Sequence, residues 1–157
     1  METSPLIHEE SSDIAQQLGA AAQASGMNMI YDVTLGSVST GERYLGGLHD
    51  NNYKVGMAYV STSVPAAIES AMGRYERGVA DYANGKGEGG RLVPPSYIAS
   101  SVEGAGDYRS KNEGAFHDLI GRPAGRTTPD WYVKIDNEPN AHGVRPRRLV
   151  LDSRAKP

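Results

Sequence analysis

The sequence predicts an α/β domain built on a parallel sheet with flanking helices, and three observations carry that prediction. A short apolar run, MNMIYDV, ends on an acid and a turn; a second, YKVGMAYV, follows after a weaker helical stretch; a long amphipathic segment comes next. Strand, helix and strand in that order make the crossover that parallel pairing requires.

Taken in order, residues 9–25 place Ile14, Ala15, Leu18, Ala21 and Ala22 at helical spacing, and Gly26 stands where a helix ends. Ser11, Ser12 and the acids around them suit the N-terminus of that helix, where free backbone N–H groups meet oxygen acceptors. Residues 27–33 are the first expected strand, a helix lies around 41–48, and residues 53–60 are the second strand. The next helix has Pro65 near its start and Ile68, Met72, Tyr75 and Val79 along one face. NGKGEGGRLVPP then reads as a glycine-rich lid carrying Arg91, too polar for a core. A helix across 95–120 is interrupted by Gly104 and Gly106. TPDWYVKIDN supplies a third strand, and residues 147–153, RRLVLDS, a short edge strand. The chain shows no internal repeat and no second domain.

Its 157 residues and 16.8 kDa allow one core that buries roughly 68–70% of the unfolded surface. Sixteen basic and nineteen acidic side chains leave a net charge of −3, which argues against a nucleic-acid partner. There is no cysteine, so disulfides and thiolate metal sites are excluded. No stretch approaches the roughly 18 apolar residues of a membrane span, and METSPLIHEE lacks a signal-peptide pattern, so a cytoplasmic location is expected.

Asp32 and Thr34 fall at the carboxyl end of the first expected strand, beside which open α/β sheets bind ligands. Spacing alone leaves a second use for them, as the start of a polar turn before Gly36. Arg74 and Arg77 stand three apart on the long helix, with Arg91 in the lid after it. Guanidinium groups suit phosphate because their planar fork makes paired, charge-assisted bonds. Pairing with neighbours such as Glu69 or Glu76 is the competing use. His8, Glu9 and Glu10 in succession cannot all point one way on a helix, and His49, His117 and His142 lack ligand spacing, so no metal site is expected. Arg145, Arg147, Arg148, Arg154 and Lys156 make the end of the chain a basic tail, expected to be solvated.

Four segments in order, HEESSDIAQQL, GMNMIYDVTLGS, YKVGMAYVSTSVPAAIESAMGRYERG and GGRLVPPSYIASS, resemble the zeta toxin family across roughly residues 8 to 120. The resemblance rests on a strand ending in D-x-T, a helix bearing an R-Y-E-R segment and a lid of the form GR-x-VP. It implies a partial P-loop-kinase-like parallel sheet over residues 8–136, with an irregular basic tail at 137–157. The implied reaction is transfer of the ATP γ-phosphate, with Mg2+, to the sugar 3′-hydroxyl of UDP-N-acetylglucosamine. Asp32 and Thr34 match substrate-binding positions, while Arg74 and Arg91 match arginines on the transferred phosphate, with both catalytic and cofactor-binding roles. Asp13, Gln16, Glu9 and Glu10 are looser candidates for the same cleft.

The chain departs from the family pattern at two points. It has no G-x-x-x-x-G-K-[ST] stretch, the loop that cradles phosphates in P-loop kinases, and only seven residues precede His8. The first strand and phosphate loop are therefore expected to be missing, and the isolated chain to be inactive. Gly36 also stands where some members carry an arginine. The resemblance thus implies either the substrate and lid portion of such a kinase, or a non-catalytic binding module or inactive remnant of the fold. The implied partners are a sugar nucleotide, an antitoxin, a complementary P-loop chain or a second copy.

Overall fold

The computed structural model describes residues 4–140 and 143–154, with side chains from residue 11 onward. The elements run α1 (Ser4–Ala24), α2 (Val38–Asp50), β1 (Gly56–Ser61), α3 (Val64–Ala83), α4 (Pro95–Ala99), α5 (Lys111–Gly121), β2 (Trp131–Asp136) and β3 (Arg148–Asp152), with a 3₁₀ turn at Ser100–Val102. The strands form one mixed sheet in the order β1-β2-β3. β1 and β2 are parallel, with Ala58 opposite Val133, and β2 and β3 are antiparallel with a register shift between Lys134 and Ile135. This is the α/β architecture that the sequence predicts, in the partial form expected of the P-loop-kinase-like sheet.

The local chemistry explains the boundaries. Ser37, Ser63 and Ser110 cap α2, α3 and α5, each accepting from a backbone N–H three residues on, and Pro65 sits in the first turn of α3. The expected helix across 95–120 divides because Gly104 and Gly106 adopt positive φ of 74° and 59°, a turn that no helix accommodates.

Two expectations require correction. The first helix begins at Ser4, so Ser11 and Ser12 lie inside it and are not its cap; Pro5 suits the first turn of the longer helix. Residues 27–33 are extended but belong to no sheet. Their apolar alternation suits a strand, yet a strand also needs a hydrogen-bonded neighbour, and the backbone groups of residues 28–33 have none among the described residues. The parallel pair therefore comes from the longer crossover through α3, α4 and α5, and not from the one through α2.

The core sits between α2, α5 and one face of the sheet. Leu45, Leu48, Val55 and Leu119 form its centre, with Met29, Tyr31, Leu35, Tyr53 and Met57 packed around them. Phe116 is fully buried and stacks on Tyr59 with ring centroids 5.0 Å apart. The opposite sheet face is thinly covered: Val60, Trp131 and Leu149 are exposed.

Tyr53 ties α1 to this body. Its hydroxyl lies 3.0 Å from the Met27 carbonyl oxygen and 3.2 Å from that of Gln23, at the end of α1, while Gln23 donates to the Tyr31 hydroxyl at 3.0 Å. Tyr53→Phe is expected to cost about 1 kcal/mol and to speed amide exchange at residues 21–27, measured by thermal melting and hydrogen exchange. Unchanged exchange there would mean that α1 is held by other contacts.

Candidate functional site

In residues 29–36 Met29, Tyr31 and Leu35 turn partly inward onto the core, while Ile30, Asp32, Val33 and Thr34 are exposed. The segment turns tightly where the Gly36 N–H donates to the Thr34 carbonyl oxygen at 2.8 Å, just before the α2 cap at Ser37. Neither the Asp32 nor the Thr34 side chain has a partner among the described residues, so neither is used to build the turn.

Both residues line a cleft of about 1090 Å³. One wall is the extended segment and the other is β1 with the residues before it. Tyr97, Ser100, Lys111 and Asn112, from α4, the 3₁₀ turn after it and the start of α5, also line it. The walls are largely apolar and the polar groups few, the composition of a small-molecule site. Tyr97, Lys111 and Asn112 were not foreseen from the sequence, because only the break in the 95–120 helix turns them toward this space.

Arg74 and Arg91 do not line that cleft. They belong to a second feature, in which the lid lies directly against α3. A Cβ on Gly90 would fall 2.2 Å from the Tyr75 carbonyl oxygen, and one on Gly78 would fall 2.5 Å from the Gly90 Cα. Only glycine at both positions allows this backbone-on-backbone approach, which sets Arg91 beside the middle of α3, the helix that carries Arg74 and Arg77. All three guanidinium groups are exposed and make no ion pair or hydrogen bond among the described residues, so the pairing with Glu69 or Glu76 does not occur. By contrast Arg109, Arg122, Arg126, Arg145, Arg148 and Arg154 are all engaged with carboxylates or carbonyl and hydroxyl oxygens.

A third group lies at the carboxyl ends of β1 and β2. The buried Glu113 carboxylate accepts from the Ser61 hydroxyl at 3.1 Å and the Arg109 backbone N–H at 2.8 Å, and pairs with the Lys134 ammonium. Burial pushes the Glu113 carboxyl up, but the Lys134 ammonium and these donors outweigh it and hold it below the ordinary value. Lys134 also donates to His117 Nε2 at 3.0 Å, and burial, helped by that ammonium, holds the imidazole below its usual range. Arg109 bonds Asp136 at 2.8 Å and holds that carboxyl low, while Glu138 accepts from the Ser63 hydroxyl and N–H at the start of α3. Its members pair with one another, which is the arrangement of a structural brace. The S-x-x-E pattern at Ser110 and Glu113 is the sequence signal that marks it.

The tail is attached to this end of the fold. Arg145 donates to the Ala66 carbonyl oxygen at 3.1 Å and the Ser70 hydroxyl at 2.6 Å, and Arg148 bonds Asp136. The side chains of His8, Glu9 and Glu10, together with His142 and Lys156, lie outside the described residues. Among the described residues no group of three His, Asp or Glu side chains is placed to hold a metal ion, and no helix is long and apolar enough to cross a membrane.

No curated protein and no solved structure matches the chain. A family model for zeta toxins matches residues 1–126, a span that contains the D-x-T segment, α3 and the lid. That span is most of the 157 residues, and the chain belongs to the zeta toxin family, whose members are kinase-like.

Proposed function

We propose that this chain supplies the substrate and lid portion of a kinase that transfers the ATP γ-phosphate to the sugar 3′-hydroxyl of UDP-N-acetylglucosamine. The observation that carries the reading is the pair of unengaged polar side chains, Asp32 and Thr34, on the wall of the cleft. A carboxylate accepts from sugar hydroxyls and a threonine hydroxyl both donates and accepts, so the two read the polar edge of a sugar while the apolar wall takes its flat face. Arg74 and Arg91 fit phosphate oxygens, being permanently charged and unneutralised by the protein itself.

ATP, when bound, supplies the phosphoryl group. The residues of this chain orient the acceptor hydroxyl through Asp32 and Thr34 and offset the charge that spreads over the phosphoryl oxygens through Arg74 and Arg91. Magnesium finds no ligand cluster among the described residues, and the phosphate loop must come from outside these 157 residues. That last point favours a second reading for the chain by itself, a module that binds the sugar nucleotide without transferring phosphate.

UDP-N-acetylglucosamine is expected to bind the purified chain, measured by titration calorimetry. Asp32→Ala is expected to weaken binding about 10- to 100-fold, the loss of one or two hydrogen bonds to a charged group, and Thr34→Val less. Binding unchanged in both variants would remove the D-x-T segment from the site.

A further inference from the structure

Resting on the sugar-nucleotide function proposed above, we infer that Lys111 seats the diphosphate of that ligand, and so lets the chain tell a nucleoside diphosphate sugar from a free sugar. Among the described residues, the charged side chains that border the cleft are Asp32, Lys54 and Lys111. Lys54 lends its charge to Asp130, a carboxylate held low first by the Val55 N–H and then by His49 and this ammonium. Lys111 has no such neighbour. It is exposed and makes no ion pair or hydrogen bond among the described residues.

Lys111 also stands where a helix does not favour it. α5 begins at Lys111, directly after its Ser110 cap, and the first turn of a helix presents the positive end of its dipole. A cation there is repelled by its own helix, whereas Glu113, in the same turn, has the favoured sign. Glu113 does not offset the placement, because its carboxylate is taken by Lys134, Ser61 and the Arg109 N–H. Positions that break a local rule with no gain to the fold are those where function is found. An anion brought by a ligand supplies the offset that the chain itself does not.

Asp32 and Lys111 have opposite charge and border one cleft, yet they form no ion pair with each other. A ligand that suits both carries uncharged hydroxyls at Asp32 and an anion at Lys111, which is the order of groups in a sugar joined to a diphosphate. The cleft, about 1090 Å³, lies just above the roughly 300–1,000 Å³ of small-molecule sites, so it has room for both parts. Its walls are largely apolar, and a diphosphate against such walls needs a cation. Arg74 and Arg91 stand outside the cleft, which leaves Lys111 for that task. Its ammonium acts as a point charge with three donors. The Asn112 amide beside it, also without a partner among the described residues, adds further N–H groups.

The test is titration calorimetry with UDP-N-acetylglucosamine and inorganic pyrophosphate. It uses the whole chain carrying Arg74→Ala and Arg91→Ala, so that phosphate binding at α3 and the lid does not mask the cleft. Lys111→Gln is expected to weaken both probes about tenfold, the loss of one charge-assisted contact, and Lys111→Arg to keep most of the affinity. Asp32→Ala is expected to weaken the sugar nucleotide and spare pyrophosphate. Lys111→Glu separates this role from a structural one, because an acid suits the start of a helix: the melting temperature is expected to hold or rise while both probes are lost. Equal binding of both probes in Lys111→Gln, or Lys111→Arg no better than Lys111→Gln, would overturn the inference. Weaker UDP-N-acetylglucosamine binding in Asp32→Ala with no change in Lys111→Gln overturns it and leaves the proposed function standing. Pyrophosphate bound through Lys111, with the sugar nucleotide bound no more tightly, keeps the phosphate seat and overturns the proposed function instead. Binding of neither probe overturns both.

Discussion

In a kinase completed by a phosphate-loop segment, Arg91→Ala is expected to lower phosphoryl transfer to UDP-N-acetylglucosamine by about 10³–10⁵-fold while leaving thermal unfolding unmoved. Mass spectrometry of the sugar nucleotide after incubation with ATP and magnesium reads the first quantity and calorimetry the second. The separation of the two effects follows from the geometry. Arg91 is exposed and bonds nothing among the described residues, so its removal leaves no orphaned partner. What it loses is a charge held in place by the Gly90 contact with α3. Arg91→Lys keeps the charge and loses the planar fork, and is expected to recover only part of the rate. Unchanged turnover in Arg91→Ala would take Arg91 out of the mechanism and leave the binding-module reading in its place.

The parts of the fold that were legible in the sequence are those set by local chemistry. Pro65, with Ile68, Met72, Tyr75 and Val79 behind it, marks a helix that the structure places at Val64–Ala83, and the glycine turn at 104–106 divides the next one. The segment 27–33 misled because its apolar pattern is that of a strand, while strand pairing is decided by a neighbour that no local pattern contains. The candidate site divides in the same way. Asp32 and Thr34 could be picked out by position, but that Arg74 and Arg91 are unpaired, whereas Arg109 and Arg145 are consumed by the fold, depends on which carboxylates and carbonyls distant segments deliver. The brace around Glu113 joins β1, α5 and β2, and no spacing in the chain brings Ser61 and Lys134 to it.

That brace carries the largest expected effect on stability. Glu113→Gln removes the charge from a buried ion pair and leaves the half-buried Lys134 ammonium beside a neutral amide and the imidazole of His117. Breaking one side of such a pair costs about 3–5 kcal/mol, far more than the intact pair contributes over an apolar replacement, because the surviving charge has lost both water and partner. For a chain of this size the melting temperature should fall by roughly 10 °C. Acid gives an independent reading of the same group. The Glu113 carboxyl is held below its ordinary value in the folded state, so its stabilisation is present above the unfolded value and is lost as pH falls through the folded one. His117, also held low, has the same sign over a higher range, beginning near its ordinary value of about 6.5. The parent should therefore lose stability progressively from about pH 6.5 downward, and Glu113→Gln should flatten the part below about pH 4.5. It will not abolish that part, since Asp136 and Asp130 are also held low, by Arg109 and by the Val55 N–H. An acid limb of equal steepness in the variant would show that Glu113 is not charged in the folded protein. The pair would then be a neutral hydrogen bond and the expected cost of replacing it small.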